Sequence, residues 1–183
     1  APTIDVNNNP ANPVIRTRAW GDTPDRVIAG MEAVFRGHEA GNVITTVKHF
    51  PGHGDTQVDS HLGLPTIDAD RDRIDRIELA PFRAAIASGV PAIMSAHILF
   101  PGLDPELPAT LSPAILTDLL RGEMGFDGLI FTDALDMQAI TAGYGLAEAA
   151  ILAKLAGADL LEANESIDDQ RIHPPERIRK ELR

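Results

Sequence analysis

Between Lys48 and His61 the chain sets three histidines (His49, His53, His61), two aspartates (Asp55, Asp59) and a lysine within fourteen positions. Pro51, Gly52 and Gly54 shape the backbone between them. Imidazole titrates near neutrality, so a histidine beside a carboxylate can donate a proton to one oxygen and later accept one from another. Asp59 and His61 have that composition. They stand only two residues apart, so the carboxylate reaches the ring only if the backbone bends at Ser60. His53 and Asp55 read instead as loop scaffold, because flanking glycines suggest a shaped turn.

The elements that must position these residues follow from periodicity. Val43 to Val47 is apolar and β-branched, so it reads as a buried strand over 43–49 with the polar cluster at its end. Further strands are expected at 3–6, 91–96, 129–132 and 158–161. Helices alternate with them. Thr23 caps one with Pro24 at its first position and Gly37 and Gly41 at its close, with Val27, Met31, Val34 and Phe35 on one face. Others are expected over 79–88, after Ser112-Pro113, and over 146–156. Each strand ends on a polar residue: Asp5, His49, His97, Asp133 and Glu162. Polar groups at many strand ends favour a (β/α)8 TIM-barrel type over a doubly wound sheet, which concentrates its site at one switch point. A whole barrel takes eight strands and about 250 residues, so the expectation here is a partial barrel of about five β/α units. Residues 1–162 are assigned to that barrel and 163–183 to a charged C-terminal tail. Open sheet edges pair readily, so a homo-oligomer completing the barrel is expected, with strand 3–6 or 158–161 at the contact.

Composition narrows the partners. The 183 residues are 44% hydrophobic with a formal net charge of −11, which fits a globular chain and excludes the basic patch that nucleic acid requires. Even the densest basic stretch, Arg171 to Arg183, contains Glu176 and Glu181. Without cysteine there is neither disulfide nor thiolate catalysis. No run approaches the roughly 18 apolar residues of a membrane span, and no signal-peptide pattern opens the chain, so location stays open between cytoplasm and export.

The run KHFPGHGDTQVDSH, with FTDALDM far downstream, resembles glycoside hydrolase family 3 and within it the bacterial β-N-acetylhexosaminidase branch. APTIDVN at the start, Asn12 to Ile15 followed by Arg18, and Ile93 to His97 extend the resemblance over about residues 1 to 162. It implies a retaining glycosidase that removes terminal β-linked N-acetylglucosamine from peptidoglycan or chitin-derived fragments, without metal or cofactor. By the same resemblance Asp133 is the nucleophile, His61 the acid/base, and Asp59 the carboxylate that orients it. Arg18, Lys48 and His49 match positions that hydrogen-bond sugar hydroxyls.

Each residue has a plainer reading. Asp133 could cap the following helix, with Asp136 as the rival carboxylate, and His61 could be a solvated loop histidine. His97 reads as a hydrogen-bonding support, Asp5 either as part of the site or as a fastener of the Asn-rich loop, and Trp20 as core. Other functions also stand. A histidine acid/base leaves a site less negative than a glutamate would, which admits a phosphorolytic enzyme, with a β-glucosidase as its neighbour. The family's upstream glycine-rich Asp-x-Glu-Gly-Gly-Arg-type stretch has no match here, which leaves a non-catalytic sugar-binding fragment open. A zinc-dependent hydrolase is the third alternative, since His49, His53, Asp55, Asp59 and His61 alternate as metal ligands do. Such a site needs later histidines, and only His97 and His173 follow, His38 lying upstream in an expected helix.

Overall fold

The computed structural model describes residues 1–164. The tail from 165 on, with His173 and the basic stretch, lies outside them. Four strands, β1 (Thr46–Phe50), β2 (Ala92–Ser95), β3 (Leu129–Ala134) and β4 (Leu160–Glu162), pair in the order β1-β2-β3-β4. Every pairing is parallel. Sequential order without reversal is how a (β/α) barrel grows, whereas a doubly wound sheet reverses at its switch point.

The expected strand 3–6 contracts to a single parallel bridge, Thr3 to Lys48, beside β1. Lys48 donates to the carbonyl of Pro2 and accepts from the N–H of Ile4. One position later the His49 N–H goes to the Asp5 side chain at 3.1 Å.

The helices pack around the sheet. Helix α1 (Pro24–Ala40) starts after Thr23, buries Val27 and Met31, and ends at Gly41. Short α2 (Arg71–Arg76) was not foreseen in a charged stretch; Asp70 caps it by accepting from Arg73 N–H at 2.7 Å. Helix α3 (Ala80–Ala87) carries Pro81 in its first turn, where its missing N–H costs nothing. The segment Ala114–Glu123 is a π-type helix; the Ser112 hydroxyl accepts from Ile115 N–H at its start, and Met124 N–H returns to Leu119 at its end. Helices α4 (Gln138–Thr141) and α5 (Leu146–Ala156) complete the chain between β3 and β4, and α5 stops at Gly157, whose φ of 110° favours glycine.

The core joins sheet and helices. Phe50 from β1 and Phe82 from α3 meet edge to face with centroids 5.2 Å apart, both fully buried. Such burial is worth about 2 kcal/mol per ring. Alternation in β3 packs Ile130, Thr132 and Ala134 inward and turns Leu129, Phe131 and Asp133 to the more open face. That face also carries Asp133 to the rim where all the strands end. Trp20 is not core: it is 48% exposed and lies flat against Gly30 of α1, where a Cβ would come within 2.9 Å of the indole. It packs on the outer surface of a helix that has no side chain at that point.

Candidate active site

Asp5 organises the first turn of the site. It is buried and receives three donors: His49 N–H, His53 N–H at 2.6 Å, and His49 Nδ1 at 2.8 Å. Burial alone would raise its pKa, but the two histidines together hold it below the ordinary carboxylate value. Because a carboxylate only accepts, His49 carries its proton on Nδ1. Both peptide bonds flanking this turn, Lys48–His49 and Phe50–Pro51, are cis.

Next in the chain, Gly54 lies so close to the neighbouring backbone that a Cβ would sit 1.7 Å from the Val6 carbonyl oxygen. Only glycine fits there. Asn12 clamps the same loop, its amide donating to the carbonyls of His53 and Gly54 at 2.8 and 2.9 Å while its oxygen accepts from Val14 and Ile15. The short 3-10 turn Arg16–Arg18 follows directly, so Arg18 is carried on a segment fastened to the His53 loop. Asp55 leaves the centre altogether, pairing with Arg73, which also reaches Glu78 at 3.2 Å. Burial raises the Glu78 pKa despite that arginine.

His53 is a buried strut. Nδ1 lies 2.8 Å from the Thr56 hydroxyl and Nε2 3.1 Å from the Ser60 hydroxyl. Burial, with the nearby His49, lowers its pKa to about 4, so the ring is neutral at neutral pH. Ser60 in turn stands between the two residues of the expected dyad. The bend is present: Asp59 Oδ1 accepts both the His61 backbone N–H at 2.9 Å and His61 Nδ1 at 2.7 Å. Burial would raise the Asp59 pKa, but these bonds from His61 hold it low, and the carboxylate stays charged. The His61 side chain is 63% exposed. Asp59 and His61 are thus paired on an outward loop whose middle residue is buried.

At the end of β3, Asp133 is half-buried with Oδ1 accepting from Ala134 N–H at 2.9 Å. Its charge acts on both His53 and His97. His97 holds the adjoining peptide, with Nε2 2.9 Å from the Ala134 carbonyl and Nδ1 2.9 Å from the Thr110 hydroxyl. Burial lowers the His97 pKa, so the ring is neutral. A carbonyl only accepts, so Nε2 carries the proton, while the Thr110 hydroxyl beside Nδ1 donates to the Ala96 carbonyl at 2.9 Å and lies 2.9 Å from the Ser95 hydroxyl. Asp136 lies beyond the strand in the turn before α4 and accepts from the Asn164 amide at 3.3 Å.

His49 and Asp133 thus stand at the ends of β1 and β3, the Asp59–His61 pair on the loop that His53 holds through Ser60, Lys48 on β1 and Arg18 on the clamped loop. Sequence reasoning gave Asn12 and Ser60 no hydrogen-bonding role. Both are small polar residues whose partners are far along the chain or in a neighbouring element, and the only local sign of Ser60 was its place between Asp59 and His61. Among the described residues no group of three or more His, Asp or Glu side chains forms a metal-holding cluster. Asp55 is drawn off by Arg73, and both His53 nitrogens face hydroxyls.

Comparison with known proteins gives this rim a context. Residues 1–172 match the glycosyl hydrolase family 3 N terminal domain. Beta-hexosaminidase A of Pseudoalteromonas piscicida is 45% identical over 172 residues, covering 87% of this chain and 29% of its own length. A glycoside hydrolase family 3 beta-N-acetylglucosaminidase from Paenibacillus sp. str. FPU-7 superposes with a TM-score of 0.86 at 56% identity, over 89% of this chain and 31% of that one. A beta-glucoside phosphorylase, BglX, superposes with a TM-score of 0.87 at 34% identity, over 91% of this chain and 32% of its own. The chain spans about a third of the length of these relatives.

Proposed function

The chain belongs to glycosyl hydrolase family 3, and from that premise we propose that it serves a retaining glycosidase acting on terminal β-linked N-acetylglucosamine in peptidoglycan or chitin-derived fragments. The observation that carries this reading is the Asp59–His61 pair. Asp59 pins the Nδ1 proton and stabilises the ring when it becomes cationic, which leaves Nε2 to move the catalytic proton.

In the first step the Asp133 carboxylate attacks the anomeric carbon. The bond from that carbon to the leaving oxygen breaks while His61 gives its proton to the oxygen. A glycosyl ester on Asp133 results. In the second step water gives a proton to His61, attacks the same carbon and releases Asp133, so configuration is retained. His97 steadies the peptide behind Asp133 through the Ala134 carbonyl. Arg18, Lys48 and His49 hold sugar hydroxyls, with Asp5 setting the ring of His49. The names of the hexosaminidase and N-acetylglucosaminidase relatives support the sugar.

Replacing Asp133 with Asn keeps the shape and removes the charge that forms the ester. Turnover of a nitrophenyl N-acetylglucosaminide is expected to fall at least about a thousandfold, roughly 4 kcal/mol in barrier. Comparable activity in Asp133→Asn and the unaltered chain would contradict the reading and transfer the role to Asp136. A phosphorolytic version is favoured by one observation, the likeness to the phosphorylase BglX. It predicts N-acetylglucosamine 1-phosphate as product when inorganic phosphate is supplied, where hydrolysis gives the free sugar.

A further inference from the structure

His61 also lines a recess of about 540 Å³, shared chiefly with Asp136, Met137, Gln138, Thr141 and Asn164. That volume is in the range of small-ligand sites, about 300 to 1,000 Å³. Asp133 does not line it. The chemistry of the step gives the recess a meaning. A proton from the acid goes to the glycosidic oxygen, and that oxygen departs with the leaving group, so the leaving group lies on the side the acid faces. Resting on the glycosidase reading above, we propose that this recess is the leaving-group subsite and that Asp136 makes it select a neutral hydroxylated sugar over one bearing a carboxylate.

The lining supports both parts. Asp136 offers an acceptor with a full negative charge, and its neighbour Asn164 donates one amide bond to it at 3.3 Å. Gln138 and Thr141 add neutral donors and acceptors, and Met137 adds an apolar surface for the C–H face of a sugar ring. Among the described residues lining the recess there is no lysine or arginine. Among the described lining residues His61 is the one side chain able to carry positive charge, and its proton is consumed by the step itself. A carboxylate on the leaving sugar would therefore meet Asp136 without a compensating lysine or arginine among the described lining residues, in a chain already at −11. Sugar hydroxyls would instead donate to Asp136. Discrimination by an uncompensated like charge is specificity against the wrong ligand. Of the two fragment sources, this favours chitin-type disaccharides over muramic-acid-containing ones, whose leaving sugar carries a lactyl carboxylate.

The test is a titration of the full chain, labelled at the methionine methyls, with di-N-acetylchitobiose and with the N-acetylglucosaminyl-N-acetylmuramic acid disaccharide at neutral pH. The expected result is a shift of the Met137 methyl and binding of the neutral sugar about fivefold tighter than the acidic one, the scale of one like-charge contact in a solvated site. Asp136→Asn should bring the ratio close to one, and Asp136→Lys should reverse it. Equal or tighter binding of the acidic sugar, no Met137 response to either sugar, or a ratio unmoved by both substitutions would overturn the proposal. Turnover of the nitrophenyl substrate is read separately. A chain that turns it over without discriminating between the disaccharides contradicts only the subsite; one that discriminates without turnover contradicts only the glycosidase.

Discussion

Ala139 donates its backbone N–H to the carbonyl oxygen of Ser60 across 3.2 Å. Ala139 belongs to α4, directly after the strand that carries Asp133, and Ser60 lies between Asp59 and His61. The loop that carries Asp59 and His61 is thus moored to the element that follows Asp133. The Ser60 hydroxyl adds a second mooring, 3.1 Å from His53 Nε2. Ser60→Ala removes the second and keeps the first. Loss of one such bond should lower kcat about tenfold on substrates with poor leaving groups while KM barely moves. Ser60→Thr, which keeps the hydroxyl, should restore the rate. A loss of stability with unchanged kcat in the folded protein would assign Ser60 to structure alone.

His61→Ala should separate substrates by leaving group. Nitrophenolate departs almost without protonation, whereas a sugar hydroxyl needs a proton in the transition state, so the substitution should hurt disaccharides far more, on the order of a hundredfold in kcat/KM. Asp59→Ala should show a milder version, because the ring loses its orienting carboxylate and keeps its proton. Equal losses on both substrate classes would give His61 a role other than acid and base.

Acid sensitivity should begin with the buried histidines. His53 is neutral in the folded chain down to about pH 4, while the unfolded chain binds its proton from 6.5. Above the unfolded value its contribution is fully present. Between the two values the unfolded state binds the extra proton, so stability falls as pH falls, by about 3 kcal/mol in all, and the loss levels off below the folded value. His97 acts in the same direction. Asp5, held low, adds a further loss only as pH drops through its folded value, below 3.8. Denaturant midpoints followed from pH 7.5 to 4 should therefore slope downward, and His53→Gln, which cannot titrate, should flatten the slope. An unchanged slope in that variant would mean that His53 is not the buried neutral ring.

Much of this arrangement was legible in the sequence because it depends on local rules. Thr23-Pro24, Ser112-Pro113 and the alanine-rich run that becomes α5 announced their helices, though the Thr23 side chain makes no capping bond, and the β-branched run before Lys48 announced β1, though Val43 and Ile44 lie outside it and are exposed. The polar residue at each strand end marked the rim, and the two-residue spacing of Asp59 and His61 implied the bend that the structure contains. What stayed hidden depends on partners distant in sequence. Asp5 meets His49 across 44 residues, and no local pattern separates that from a turn-forming aspartate. Trp20 looked like core because large aromatics usually are, yet Gly30 gives it a flat seat on the outside of α1. Strand 3–6 contracted to the single bridge of Thr3 with Lys48, and the Asp5 side chain beyond it serves the His49 and His53 N–H groups instead. Helix α2 was obscured by its charges, which read as loop until Asp70 is seen to cap it.

The central claim is that Asp133 forms the covalent bond to the sugar. A rapid quench of the reaction with an activated N-acetylglucosaminide whose leaving group departs quickly should accumulate the ester, and peptide mass spectrometry should then locate the added sugar. The account predicts one N-acetylglucosaminyl residue on the peptide containing Asp133, fragmenting to that side chain and absent from Asp133→Asn. Sugar attached to Asp136 instead, or steady turnover with an inverted product and no adduct, would contradict it.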